Sequence, residues 1–392
     1  MLNNCVSATS GSGRTEASGD ACSPTTRSLH VALVISHLGD GGAERFAAAL
    51  ARRWHHGGRA VSVVTIASRD GDLHQLTRGV RRVALGLYGP SRSLAHGMLQ
   101  ASGRVIALRR ALTQLQPNVV CSFLERTNVL SLLATAGSRV PVLVCERSDP
   151  RQDAIGRPSW AALRRLLYPR AAGVIVQTES VAEWARSFCS RVHVIPNFVE
   201  RPRKRASPGI PRGPRRLIAM GRLAPEKGFD LLLEAYARIA GSHPGWSLTI
   251  LGEGPERRRL ESIVRAFGLA GRVSMPGRIE DPQGQLADAH AFALPSRYEG
   301  FPNALLEAMA CGLPVVAFDC PSGPAEIVTH DRSGLLVPAG DVSGFATALS
   351  RVMGSAADRV RLGRSAREVV VRFAPDSVLD RWSRVLSEVV RQ

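Results

Sequence analysis

The sequence predicts an α/β fold built as two parallel-sheet units, and three observations predict it. From Leu29 onward, short apolar runs of strand length alternate with amphipathic segments of helix length, the pattern of crossovers that force strands parallel. At Glu200 the alternation stops. Residues 201–216 follow, with seven basic residues and four prolines, a composition that removes backbone donors and resists helix. The alternation then resumes and runs on towards the C-terminus. The expected organisation is a leader at 1–28, a first unit at 29–200, a linker at 201–216, a second unit at 217–375 and a final helix at 376–392.

Each element follows from its own residues. Residues 1–28 are rich in Ser, Thr, Gly and Ala without periodicity and read as a disordered leader; they lack the basic start and apolar stretch of a secretory signal. In the first unit, 29–36 reads as a buried strand, 39–42 as a turn, 43–56 as a helix and 60–66 as a second strand. Strands at 119–123, 140–145, 173–177 and 192–196 follow, with helical segments between them. In the second unit, strands are expected at 216–221, 246–251, 273–276, 291–294, 314–318 and 334–337, and helices at 229–240 and 256–267. Val378, Leu379, Trp382, Val385, Leu386, Val389 and Val390 recur at helical spacing, so the last helix carries one apolar stripe that must dock.

Composition narrows the class of function. A chain of 392 residues, 44% hydrophobic and 21% charged, is globular rather than disordered or fibrous. No run approaches the ~18 apolar residues of a membrane-spanning helix. The seven cysteines are scattered, odd in number and form no C-x-x-C pair. Neither a disulfide framework nor a zinc site is expected, and a reducing cytoplasmic compartment suits them. The net charge is +18, and Lys204 and Lys227 are the only lysines. An arginine-rich codon bias accounts for that charge, and so does a basic surface facing anionic membrane lipid. No helix-turn-helix, zinc or RNA-binding signature accompanies it, so nucleic acid is not an expected partner.

Three segments carry chemistry. Gly39-Asp40-Gly41-Gly42-Ala43-Glu44 follows the first strand and opens a helix. Its glycines let the backbone approach a ligand, and a helix N-terminus attracts phosphate; a plain strand–helix turn is the alternative. Met220-Gly221-Arg222-Leu223-Ala224-Pro225-Glu226-Lys227-Gly228 follows the second unit's first strand. Arg222 and Lys227 there suit a diphosphate leaving group at a strand's carboxyl end, against the alternative of a solvated pair with Glu226. In Ser296-Arg297-Tyr298-Glu299-Gly300-Phe301-Pro302-Asn303-Ala304-Leu305-Leu306-Glu307-Ala308-Met309-Ala310-Cys311-Gly312, two glutamates sit eight apart across a helix start. Free N–H donors and carboxylates there suit a polar, hydroxyl-rich ligand. Glu307 lies inside the apolar run 304–310, where a carboxylate needs a partner. A further turn, Pro321-Ser322-Gly323-Pro324-Ala325-Glu326-Ile327, starts another helix near the same edge.

These motifs together resemble those of the retaining glycosyltransferases of family 4, with GT-B architecture, over residues 29–392. The resemblance rests on the Gly-Gly-Ala-Glu turn, on Gly-Arg-Leu-x-x-x-Lys-Gly, and on Glu-Gly-Phe-Pro-Asn-x-x-x-Glu-Ala-Met-Ala-x-Gly-x-Pro-Val. It implies two Rossmann-like domains with the active site in the cleft between them, and a nucleotide-sugar donor, most often a UDP-sugar. Arg222 and Lys227 would then neutralise the departing diphosphate. Glu299 would hold the donor sugar's hydroxyls, helped by the backbone of Gly300, Phe301, Pro302 and Asn303, and Glu307 would hold the ribose. Gly41 and Gly42 would face the donor phosphates and the acceptor side. Read from its own residues, the 321–327 turn with Glu326 also suits the donor through its N–H groups, against the alternative of a capped helix start. No metal and no cofactor beyond the nucleotide-sugar substrate are implied. The last helix would cross back to the first domain. Such enzymes act on glycan or lipid-linked acceptors in bacterial surface-polysaccharide synthesis, some at the inner face of the cytoplasmic membrane.

Several positions stand apart from that pattern. Many family members carry a histidine after a middle strand of the first domain, whereas this chain reads Val144-Cys145-Glu146-Arg147-Ser148-Asp149-Pro150 there. Arg147, Ser148 and Asp149 are candidates to line the site, as is His37 before the glycine turn. Asp70-Gly71-Asp72 reads as a turn rather than a metal motif. The helices carrying Arg104, Arg109 and Arg110, and Arg164, Arg165 and Arg170, are basic. Trp160, Leu163, Leu166 and Leu167 give the second of these an apolar face suited to an anionic membrane. Two rivals share the architecture: a sugar-nucleotide epimerase and a non-catalytic sugar-nucleotide-binding protein. The presence of Arg222, Lys227, Glu299 and Glu307 together argues for transfer.

Overall fold

The computed structural model describes residues 29–39, 41–89, 94–153, 158–209 and 214–391. The expected leader, Asp40 of the glycine turn and residues 210–213 of the linker lie outside them.

Two sheets form, and every pairing described within them is parallel. The first holds β1 (His30–Ile35), β2 (Ala60–Thr65), β3 (Arg81–Ala84), β4 (Val119–Phe123), β5 (Val142–Cys145), β6 (Gly173–Val176) and β7 (Val192–Val194) in the order β3-β2-β1-β4-β5-β6-β7. The second holds β8 (Arg215–Met220), β9 (Trp246–Leu251), β10 (Val273–Gly277), β11 (Ala291–Leu294), β12 (Val315–Asp319) and β13 (Leu335–Pro338) in the order β10-β9-β8-β11-β12-β13. In each sheet the first strand lies between the second and a later one, so the strand order reverses beside it. Crevices for ligands open at the carboxyl ends of such reversal points. The glycine turn leaves β1 and the Arg222–Lys227 loop leaves β8, which brings both motifs to that edge.

Strand β3 is absent from the sequence expectation. Its residues, Arg-Arg-Val-Ala, sit half-exposed at the sheet edge, where two arginines hide the apolar alternation. The remaining boundaries differ by a residue or two, as hydrogen-bonded ends do.

The last helix (Pro375–Arg391) belongs by sequence to the second unit but packs on the first. Val378, Trp382, Val385, Leu386 and Val389 join Val31, Leu33, Trp54 and Phe123 in one core under the first sheet. Val390, expected on the stripe, is exposed. The second basic helix (Pro158–Leu167) presents Leu163 and Leu166 outward, as the expected apolar face requires, but buries Leu167 and departs from the expected basic face at Arg164. Arg164 points inward and is fully buried. The inward arginine is held by the Pro150 carbonyl, by Glu146 at 3.5 Å and by the face of Trp184. A buried acid thus decides which side of the helix faces the core.

Candidate active site

Two helix N-termini meet across the crevice. The first helix (Gly42–His56) starts at Gly41, and the helix Asn303–Cys311 starts at Pro302. Among the described residues neither start has a side-chain cap, so both offer backbone donors to a ligand. The Asn303 amide group lies 3.5 Å from the Gly42 carbonyl. Pro302 is the cap residue of its helix, and its carbonyl accepts from the Leu306 N–H.

The loop between β11 and that helix is seated by close packing. A Cβ on Gly300 would fall 2.4 Å from the Arg147 carbonyl oxygen, so glycine alone admits this contact between the units. Glu299 is 7% exposed, and its carboxylate accepts from Lys227 Nζ at 2.7 and 2.9 Å and from Ser296 Oγ at 2.7 Å. Ser322 Oγ donates to the Glu299 carbonyl at 2.9 Å, tying the 321–327 turn to the same loop. Lys227 closes a short 3-10 turn (Pro225–Lys227), and left-handed Gly228 follows it. A Cβ on Gly228 would lie 2.0 Å from the Pro295 carbonyl, so this glycine fixes the lysine's approach to Glu299.

The other expected residues are placed as follows. Arg222 pairs with Glu226 on its own loop at 2.6 Å and its side chain is 60% exposed, so it is available to a ligand but not aligned by Glu299. Glu307 is half-buried and ion-paired with Arg45 of the first helix. Burial pushes the Glu307 carboxyl above its ordinary value, and Arg45 opposes that shift. Glu326 departs from the expectation. Its carboxylate accepts from the backbone N–H groups of Glu179, at 2.7 Å, and Ser180, at 3.4 Å, at the start of the helix Glu179–Arg186. It straps the two units together instead of joining Glu299 and Lys227: Thr178 caps this helix through the Val181 N–H, and the Glu179 and Ser180 N–H groups that the cap does not reach attract a carboxylate.

Arg45, Ser296 and Asn197 escaped the sequence analysis. Arg45 sits one turn into the helix that the glycine turn opens, and Ser296 stands three residues before Glu299, so spacing held a signal for both. Asn197 sits in a loop past β7, and sequence gave none for it. His37 accepts from the Gly39 N–H at 3.0 Å and lies 3.6 Å from Glu44, which makes it a support of the glycine turn. Asp72 pairs with Arg82, consistent with a turn at 70–72.

Beside this edge a cavity of about 820 Å³ opens between the first helix, the linker start and the helix Asn303–Cys311. Arg45, Arg52, Phe198, Arg201, Leu306 and Glu307 line part of it. Its size falls within the ~300–1,000 Å³ of small-molecule sites. The Glu307→Ala variant is expected to lose transfer activity with little change in melting temperature, because its partner Arg45 is exposed enough to be solvated alone. Normal turnover by that variant would remove Glu307 from the site.

A fold of two Rossmann-like sheets with a polar crevice between them defines the GT-B class of transferases. Comparison with known proteins agrees. Residues 200–369 match the model "Glycosyl transferases group 1" and residues 40–203 match "Glycosyltransferase Family 4". The chain belongs to the family 4 glycosyltransferases of GT-B architecture. It is 32% identical over 293 residues to an exopolysaccharide phosphotransferase of Streptomyces coelicolor, covering 73% of this chain but 30% of that protein. It is 25% identical over 366 residues to an α-1,4-N-acetyl-D-galactosaminyltransferase of Campylobacter jejuni, covering 92% of this chain and 99% of that one. Among solved structures, Anabaena HepE in complex with UDP superposes with a TM-score of 0.75 at 18% identity, covering 92% of this chain and all of that one. The last likeness is one of fold.

Proposed function

We propose that the chain transfers a hexose-type sugar, with retention of configuration, from a UDP-sugar to a glycan or lipid-linked acceptor in bacterial surface-polysaccharide synthesis. The observation that carries the reading is the convergence of two uncapped helix N-termini beside the Lys227–Glu299 pair. Backbone N–H groups at Gly42 and Asn303 and the cations Lys227 and Arg222 receive the donor diphosphate. Glu299 holds sugar hydroxyls and Glu307 the ribose, displacing Arg45. The acceptor oxygen bonds to the anomeric carbon as its bond to phosphate breaks, and the acceptor proton passes to the departing phosphate oxygen. The protein's part is charge stabilisation and positioning, without a metal. HepE, which holds UDP, supports a uridine donor. The Campylobacter enzyme, whose name specifies an undecaprenyl-diphosphate glycan as acceptor, supports a lipid-linked one.

The acceptor side suggests a place of work. Leu99 and Ile106 on the helix Leu94–Leu115, and Leu163 and Leu166 on the helix Pro158–Leu167, are exposed, and so are Arg109 and Arg110 on the first of these helices, Arg165 on the second and Arg170 just past it. Exposed apolar side chains on arginine-bearing helices suit the cytoplasmic face of an anionic membrane. No helix among the described residues is long and apolar enough to cross one.

The test is thermal melting against UDP, GDP, ADP and their sugars, with and without chelator. A ligand at ~100 times its dissociation constant adds about 2.7 kcal/mol. UDP is expected to raise the melting temperature, one UDP-sugar to raise it further, and chelator to change neither. No shift with any nucleotide would overturn the reading.

A further inference from the structure

Arg147 is a buried cation to which the site above gives no role. It follows β5 at the carboxyl edge of the first sheet, but its side chain turns inward. The guanidinium carbon lies 4.4 Å from the ring centre of Phe46, 4.9 Å from that of Phe123 and 5.9 Å from that of Trp382. Burial lowers its pKa to about 10, which still leaves it charged at neutral pH. Its Nε and Nη2 bond no nitrogen or oxygen among the described residues; the group they face is the weakly accepting Cys145 thiol, within the aromatic cage. An apolar side chain of similar length would fill this cage at lower cost. The guanidinium therefore answers to the bond it does make.

That bond leads out of the core and across the joint. Arg147 Nη1 donates to Asn197 Oδ1 at 3.1 Å, and Asn197 Nδ2 donates to Asn303 Oδ1 at 2.6 Å. Asn303 opens its helix in the second unit and its amide reaches towards the Gly42 carbonyl of the first. The backbone of Arg147 and Ser148 supplies a second seat, since it is the surface on which Gly300 packs. Six segments meet here: the first helix, the end of β4, the end of β5, the loop past β7, the 299–303 loop and the last helix.

We propose that Arg147 is a positioning residue for transfer: through Asn197 it fixes Asn303, and so sets the 299–303 loop at the height of the Gly41–Gly42 turn. This rests on the reading of that loop as the donor site. Most donor contacts proposed above (Arg222, Lys227, Glu299, Asn303 and Glu307) lie on the second unit, while the first adds the Gly42 N–H and the acceptor side, so loosening the joint lowers the rate far more than it weakens donor binding. A misplacement of about 1 Å costs about 10²-fold in rate.

The test compares Arg147→Met, Asn197→Ala and the double variant in the full chain. UDP affinity and stoichiometry are measured by calorimetry, along with kcat and KM for the UDP-sugar identified by melting. A spin-label distance between Arg110→Cys and Arg258→Cys is also taken, with Cys5 and Cys22 replaced by serine. Each single variant is expected to bind UDP at the parent's stoichiometry with a loss of affinity much smaller than its loss in kcat, which should be about 10- to 100-fold, and to broaden the distance distribution. The double variant should be no worse than either single one, because both break the same chain of bonds. Arg147→Met should melt no lower than the parent. A kcat unchanged in both single variants, or an Arg147→Met protein that loses stability and UDP stoichiometry together, would overturn the proposal. A parent that binds no nucleotide while Arg147→Met still broadens the distance would sink the donor reading and keep the joint. An unbroadened distance in both single variants would sink the joint whatever the nucleotide does.

Discussion

Lys227→Ala is expected to reduce transfer by about 10²–10³-fold, the loss seen when one preorganised donor to a developing charge is removed. Two effects combine. The ammonium group that meets the departing diphosphate disappears, and Glu299, 7% exposed, keeps Ser296 as its remaining hydrogen-bonding side chain. A buried neutral group deprived of a partner costs about 1–3 kcal/mol and a charged one more, here offset in part by the Ser296 bond that remains. The variant should therefore melt lower as well as turn over slowly, and the two losses must be separated. Adding Glu299→Gln removes the stranded charge. The double variant should recover melting temperature and not activity. If Lys227→Ala binds UDP and keeps most of the parent's kcat, the lysine serves stability alone. If the double variant regains activity, the stranded carboxylate caused the loss, and the lysine has no part in leaving-group departure.

The sequence carried the sheets and the motif loops for a physical reason. Parallel strands buried on both faces are continuous apolar runs, and β1, β4 and β5 read as such. Glycine, proline and charge between them mark the loops that bind. What it did not carry lies in contacts between distant segments. Arg45 meets Glu307 across 262 residues, and Glu326 reaches the start of the helix Glu179–Arg186 across 147. Such pairs depend on how the two sheets are set against each other, which no local pattern encodes. Arg164 shows the same limit within one unit. Its helix has the spacing of a basic outer face, but Glu146, eighteen positions earlier, draws that arginine into the core. The apolar stripe of the last helix was legible, because a stripe without a partner in its own unit has to find one elsewhere.

That stripe makes Trp382→Ala the largest stability change expected. The indole is fully buried, edge-on to Trp54 at 5.4 Å and stacked on Phe123 at 6.5 Å. Removing a side chain of this size leaves a cavity worth about 3–5 kcal/mol. The loss should be local before it is global, because the last helix joins the second unit by chain and the first by packing. Undocking would release residues 375–391 while both sheets stay folded. Limited proteolysis should then cut this segment at temperatures where the parent resists, and a helical signal should melt in two steps. Trp382→Phe provides the control. The Trp382 Nε1–H is buried with no acceptor among the described residues, so the smaller ring removes an unmet donor as it removes volume. It should cost well under half of what alanine costs. If phenylalanine is as damaging as alanine, the indole edge matters for more than its volume. If alanine leaves the melt and the cleavage pattern unchanged, the last helix does not hold the two units together.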